Sequence, residues 1–397
     1  MLNPRLDQLK DYPFQRLRNL LEGVKPPEGM RPIVMSIGEP QHAYPDLVGD
    51  VLAANRHLYG KYPPANGTAE LRAAIADWLR ARYRLPEGMI EAERHVLPLA
   101  GTREGLFMLA SVVVPPEKRG RQPAVCMPNP FYQCYAGAAV TAGAEPVFVP
   151  ALAERHFLPD FTALAPDLLA RTALVYFCSP ANPQGSVAGL DYLRELILMA
   201  REYDFVLALD ECYAEIYNDQ PPPGGLEAAA GLGGDLRNLL VFHSLSKRSS
   251  VPGLRSGFCA GDPAIIQAFV KLRGYASAPS PLPVSAAAAA LWREESHVAE
   301  NRRLYQEKFR LAESVIGNRF GFYKPPGGFF LWLDVGDGAA AARRLYCEAA
   351  ITALPGEYLT RDDGSGLAAG KPYLRLALVH GLDETREALG RLAETLG

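Results

Sequence analysis

What most constrains this chain is a rhythm through its middle. Five short, unbroken apolar runs of strand length alternate with longer amphipathic stretches. The runs are PAVCM (123–127), EPVFV (145–149), ALVYFC (173–178), FVLALD (205–210) and LLVFH (239–243). The stretches include TREGLFMLASVVV and LDYLRELILMAREY. Continuous apolar runs suit strands buried on both faces, so the pattern predicts an α/β fold with a mostly parallel sheet flanked by helices. Four of the five runs end beside polar residues: PNPFYQCY, SPANPQG, DECY and SLSK. In such sheets ligands collect at the carboxyl ends of the strands.

A length of 397 residues favours two domains. From about 284 the character changes. One long helical stretch, VSAAAAALWREESHVAENRRLYQEKFRLAESVI, leads to the strand-like GFFLWLDV and YLRLALV, with helices expected at 337–350 and 382–396. This predicts a second, smaller α/β domain. PPPGG (221–225) reads as a surface loop. A formal charge of −3 gives no electrostatic case for nucleic acid or an anionic membrane as partner. The six cysteines are scattered without a C-x-x-C pair or nearby histidine clusters, which argues against a metal site or a disulfide framework. The N-terminus MLNPRLDQLKDYPF is too polar for a signal peptide, and the longest apolar run, SAAAAALW, is too short for a bilayer. A cytoplasmic location is expected.

Singly, the candidate sites are weak: S-x-x-K at 244–247 recurs by chance, DECY could be a capped helix start, and NPQG could be only a turn. Their order and spacing say more. The chain resembles the fold-type-I pyridoxal-phosphate aminotransferases along nearly its whole length. The resemblance rests on YPPANGTAELR (62–72), AGTREG (100–105), PNPFY (128–132), SPANPQG (179–185), DECY (210–213), SLSKRSSVPGLRSG (244–257) and YLRLAL (373–378).

It implies a pyridoxal 5'-phosphate cofactor and a large cofactor-binding domain over 46–285. The segments 1–45 and 286–397 would form the small domain. Lys247 would join the cofactor aldehyde, needing first a neutral amine and later a proton, and burial with nearby positive charge favours that. Asp210 would pair with the pyridine nitrogen, and Tyr213 and Asn182 with the ring's phenolic oxygen. If 210–213 forms a first helical turn, Asp210 and Tyr213 share a face. Tyr132 would stack on the ring. Gly101 and Thr102 at a helix N-terminus, Ser244 and Arg255 would hold the phosphate; Arg248 lies close in sequence but matches no family position. Arg375 would take the substrate carboxylate, with Gly38 and Asn182 beside it. Tyr62 matches a tyrosine that reaches a partner subunit's phosphate, implying a homodimer with the site at its interface.

Within the family the chain most resembles bacterial N-succinyldiaminopimelate aminotransferases, through YPFQRLR, LAGTREGLF, PNPFYQCY, DECYAEIY and SLSKRSSVPGLRSGF. Transamination of N-succinyl-LL-2,6-diaminopimelate with the 2-oxoglutarate/glutamate pair is the expected reaction, in lysine and diaminopimelate synthesis. A long diacid needs a second anchor, for which Arg103 and Arg31 are candidates. The alternatives are aspartate, aromatic or LL-diaminopimelate specificity, a C–S β-lyase, and a regulator with a sensing domain. The regulator would need a DNA-binding module ahead of motifs that begin by about residue 12.

Overall fold

The computed structural model describes residues 2–276, 279–362 and 369–397. All five apolar runs are strands of one seven-stranded sheet. In chain order its strands are β1 (Val96–Leu99), β2 (Ala124–Asn129), β3 (Glu145–Pro150), β4 (Thr172–Cys178), β5 (Val206–Asp210), β6 (Leu239–Ser244) and β7 (Gly257–Gly261). The spatial order is β1-β7-β6-β5-β4-β2-β3. Pairs among β2 to β6 are parallel, while β7 is antiparallel to both of its neighbours. The link from β6 to β7 holds one helical turn (Leu245–Arg248) and a 3-10 turn (Pro252–Leu254), too little to cross the sheet.

The unbroken apolar character of the strands has a direct cause. Val125, Met127, Leu174, Tyr176, Leu240 and Phe242 enter one core, and the alternate Cys126, Val175, Phe177, Leu207, Leu239 and Val241 enter another. Both faces are covered by helices, so neither set of alternate positions meets water.

The smaller body holds β8 (Phe330–Asp334), β9 (Leu354–Pro355) and β10 (Tyr373–Ala377), in the antiparallel order β9-β10-β8. Ile33 and Met35 from the N-terminal segment share its core with Phe309, Leu331, Leu374 and Leu389. The expected helices after β8 and β10 are Gly338–Ala349 and Leu382–Leu396.

Two expectations change. The long helical stretch is two helices, Leu282–Arg293 and Ser296–Ile316. The Glu294 carboxylate accepts the N–H groups of Ser296 and His297 at 2.7 and 3.1 Å, capping the second helix and ending the first. The first helix puts Ala288, Ala289, Leu291 and Trp292 into a core of the large sheet. We therefore propose a domain boundary at Glu294–Glu295 rather than at 285. PPPGG is no exposed loop either: Gly224 and Gly225 are buried, and a Cβ on them would meet Tyr83 at 2.5 Å and Leu209 at 2.3 Å.

Among the described residues no helix is long and apolar enough to cross a membrane, and no group of three or more His, Cys, Asp or Glu could hold a metal ion.

Candidate active site

A cavity of about 430 Å³ opens at the carboxyl ends of β4, β5 and β6, roofed by residues of the smaller body. Every candidate named from the sequence lines it except Gly101, which lies just behind Arg255, Tyr62, which is fully exposed, and Arg31.

Lys247 sits on the single helical turn that follows β6. Its Nζ donates to the Gly38 carbonyl at 2.5 Å and lies 5.3 Å from the centre of the Phe329 ring. Burial lowers its pKa to about 8, with the Arg375 charge assisting and Cys212 and Glu39 opposing. The ammonium still predominates at neutral pH, with a minority present as the free amine.

Asp210 is the last residue of β5 and is buried. Burial raises its pKa. Hydrogen bonds from Tyr135 Oη to Oδ2 at 2.7 Å and from the Cys212 N–H to Oδ1 at 3.2 Å oppose that rise. DECY forms a turn rather than the first turn of a helix. Tyr213 still reaches the cavity, because Ala214 and Ile216 N–H groups bond back to Glu211 and Tyr213 carbonyls and tighten the chain. Asn182 Nδ2 faces Tyr213 Oη at 3.5 Å.

Gly101 has φ +95°, and a Cβ there would lie 2.1 Å from Arg255 Nη2. Only glycine lets that guanidinium approach the start of helix Thr102–Val113. Among the described residues Arg255 bonds only carbonyls, those of Pro252 at 2.9 Å and Ala100 at 3.4 Å, and makes no ion pair. Ser244 Oγ accepts from the Ser246 N–H at 3.1 Å, so it caps the Lys247 turn as well as lining the cavity. Ser246 lines it too, a residue the motif reading did not single out.

Arg375, on β10, is buried. Its Nη2 donates to the Ser36 carbonyl at 2.7 Å and its Nη1 to Asn182 Oδ1 at 3.1 Å, while its Nε is buried without a partner. Its guanidinium rests 4.5 Å over the Phe330 ring, and burial lowers its pKa to about 10, leaving it charged at neutral pH. A buried cation without a carboxylate is costly, so an acidic ligand is the missing partner. Gly38 lines the cavity, and a side chain there would strike the Phe330 ring at 2.6 Å.

Sequence reasoning missed Tyr135, Cys212, Phe329 and Phe330. Tyr135 follows Tyr132 by three residues at the start of helix Gln133–Ala142, a spacing that could have been read. Arg31 is excluded as an anchor by its ion pairs with Glu384 and Glu387 outside the cavity. Arg248 is buried between Trp78 and Trp292 and pairs with Glu295 at 2.5 Å. Arg103 does line the cavity, hydrogen-bonding Tyr132 Oη and, at 3.3 Å, Tyr12 Oη.

A depressed lysine, a buried carboxylate, and a free arginine beside a glycine-led helix N-terminus form one constellation. With a buried arginine short of an anion, these groups fit a phosphorylated pyridine aldehyde and a carboxylate substrate. The fold and site define a pyridoxal-phosphate-dependent transferase of fold type I.

The chain belongs to the aminotransferase class I and II family, whose model matches residues 32–392. It is 33% identical to the 4-dedimethylamino-4-oxo-anhydrotetracycline transaminase OxyQ of Streptomyces rimosus, over 92% of this chain and 94% of that protein. It is 30% identical to an LL-diaminopimelate aminotransferase of Moorella thermoacetica, over 99% and 98%. A crystal structure of an aminotransferase from Neisseria meningitidis Z2491 superposes with a TM-score of 0.95 at 42% identity, covering all of both chains. The protein is a pyridoxal 5'-phosphate-dependent aminotransferase acting between an amino acid and a 2-oxo acid.

Proposed function

We propose that the amino donor is N-succinyl-LL-2,6-diaminopimelate and that 2-oxoglutarate and glutamate form the partner pair. The observation that carries this reading is the charge of the cavity. Lys247, Arg103, Arg255 and Arg375 line it, and Asp210 is the one carboxylate among the described lining residues. The distal end of a succinylated donor carries two carboxylates and no ammonium, which suits a cationic wall. LL-Diaminopimelate, named for several relatives, carries a distal ammonium and finds no acidic partner there. Arg103, at the mouth beside Tyr132 and Tyr12, is the proposed distal anchor.

Arg375 holds the substrate α-carboxylate through its guanidinium fork, with Asn182 fixing its angle. Gly101, Thr102, Ser244 and Arg255 hold the phosphate. Tyr132 covers the ring face, and Tyr213 and Asn182 meet the phenolic oxygen. Pyridoxal 5'-phosphate, when bound, supplies an aldehyde that bonds amines and a ring that draws electron density from the substrate Cα. Asp210 holds the proton on the ring nitrogen, its carboxylate fixed by Tyr135 and the Cys212 N–H. Lys247 Nζ would accept the substrate Cα proton and hold it as an ammonium until it is returned to carbon. Its depressed pKa suits both acts. The exposed Tyr62 supports a homodimer in which that ring meets the partner's phosphate.

The test is an amino-donor panel with 2-oxoglutarate. N-succinyl-LL-2,6-diaminopimelate should give the highest kcat/KM. A higher value for LL-diaminopimelate, aspartate or an aromatic donor refutes the assignment, and pyruvate from cystathionine without a 2-oxo acid would indicate a β-lyase.

A further inference from the structure

Lys308 lies mid-way along helix Ser296–Ile316 with 1% of its surface exposed, and among the described residues it makes no ion pair. Its Nζ is 2.6 Å from His42 Nε2 and 4.9 Å from the centre of the Tyr305 ring. His42 Nδ1 lies 2.7 Å from Asn301 Oδ1, and Asn301 Nδ2 donates to the carbonyls of Lys247 at 3.0 Å and Arg248 at 3.1 Å.

The partners fix the direction of every bond. Backbone carbonyls only accept, so the Asn301 amide nitrogen faces them and its oxygen faces His42. An ammonium only donates, so His42 Nε2 accepts and Nδ1 carries the proton given to Asn301. The amine form of Lys308 keeps that polarity through its own N–H. Burial lowers the pKa of Lys308 to about 7 and, with Lys308 beside it, that of His42 to about 4. Both shifts agree with a neutral ring that accepts on one side and donates on the other.

We propose that Lys308, His42 and Asn301 are positioning residues for Lys247, a one-way hydrogen-bonded relay that holds its backbone while its side chain moves. The proposal rests on Lys247 being the residue that bonds the cofactor. Gly38 and His42 are four residues apart on a strap, residues 35–45, that carries no helix or strand. That strap thus holds Lys247 twice: the Gly38 carbonyl takes Nζ, and His42 reaches the Lys247 carbonyl through Asn301. When Nζ leaves Gly38 to carry a proton, the backbone hold persists. A second path runs through packed rings: His42 lies 4.5 Å from Tyr305, which stacks on Phe329 beneath Lys247 Nζ.

His42→Phe keeps the ring packing and removes the relay, whereas His42→Gln supplies an acceptor for Lys308 and a donor for Asn301. His42→Phe should lower kcat about tenfold and slow attachment of pyridoxal phosphate to the cofactor-free protein, read at its visible absorbance, by a similar factor. The donor KM should stay within about twofold, and His42→Gln should recover to within about threefold of wild type. Lys308→Met should lower kcat while leaving the melting temperature unchanged or higher, which a merely structural lysine would not do. Rates for His42→Phe and Lys308→Met indistinguishable from wild type would overturn the relay, as would His42→Gln as impaired as His42→Phe. Borohydride reduction of wild type separates the two failures. If the cofactor is not fixed to Lys247, the site assignment falls; if it is fixed and the variants behave as wild type, only the relay falls.

Discussion

Tyr135 Oη donates to Asp210 Oδ2 at 2.7 Å, joining the start of a helix to the last residue of the strand that carries the buried carboxylate. Burial pushes the Asp210 pKa up, and this bond pushes against it. A hydrogen bond to a charged acceptor contributes about 1.5–3 kcal/mol. Tyr135→Phe should therefore weaken the charge under the cofactor ring. We expect kcat to fall roughly tenfold or more with the donor KM little changed, and the isotope effect on the substrate Cα–H to rise. An unchanged kcat would leave Tyr135 a packing residue.

Lys247 gives a pH prediction with a definite sign. Its folded pKa, about 8, lies below the ordinary lysine value, so the neutral amine grows as pH rises toward 8 and dominates above it. The rate at which cofactor-free protein binds pyridoxal phosphate covalently should climb with pH and level off above about 8. Stopped-flow absorbance reads it. A climb continuing past pH 10 would mean that Lys247 is solvated like a surface lysine. Borohydride should abolish the visible band, and Lys247→Ala should lose both band and turnover.

Arg375 is buried with an unpartnered Nε and, among the described residues, hydrogen bonds only to Ser36 and Asn182. Replacing it with alanine removes a charge-assisted fork that contributes roughly 2–4 kcal/mol to holding a carboxylate. The donor KM should rise about thirtyfold or more, with a smaller loss in kcat. Arg375→Lys should recover little, since an ammonium cannot match both oxygens. An unaltered KM in steady-state kinetics would exclude the carboxylate role.

Strands were legible because each buries both faces, and the polar residues at their ends marked the cavity edge. Lys247, Asp210 and Arg375 were legible through short motifs in a fixed order. What escaped was contact between distant segments. A side chain at Gly38 would strike Phe330, 292 positions further along the chain. Lys308 meets His42 across 266 positions, with no local signal in either stretch. The break at Glu294–Glu295 was hidden by the opposite cause: both flanking stretches favour helix, and one carboxylate taking two N–H groups decides the matter. DECY misled because three-residue spacing fits a helical turn, whereas the chain makes tight turns that still turn Tyr213 inward.

Arg103 offers the sharpest separation of donor classes. It stands at the cavity mouth, its Nε on Tyr132 Oη and one Nη on Tyr12 Oη, and it makes no ion pair among the described residues. Two phenols orient the guanidinium without neutralising it, so its charge remains free for an anion. Because the group is exposed, solvent screens it, and a single contact to a distal carboxylate is expected to change kcat/KM by about tenfold. Arg103→Ala should therefore cost N-succinyl-LL-2,6-diaminopimelate that factor while leaving alanine, which has no distal carboxylate, within about twofold. Raising the salt concentration should shrink the wild-type advantage toward the variant's value, since an exposed ion pair is screened within a Debye length of about 8 Å at physiological ionic strength. An equal loss with alanine would show that Arg103 acts by orienting Tyr132 over the cofactor ring rather than by meeting the far end of the donor.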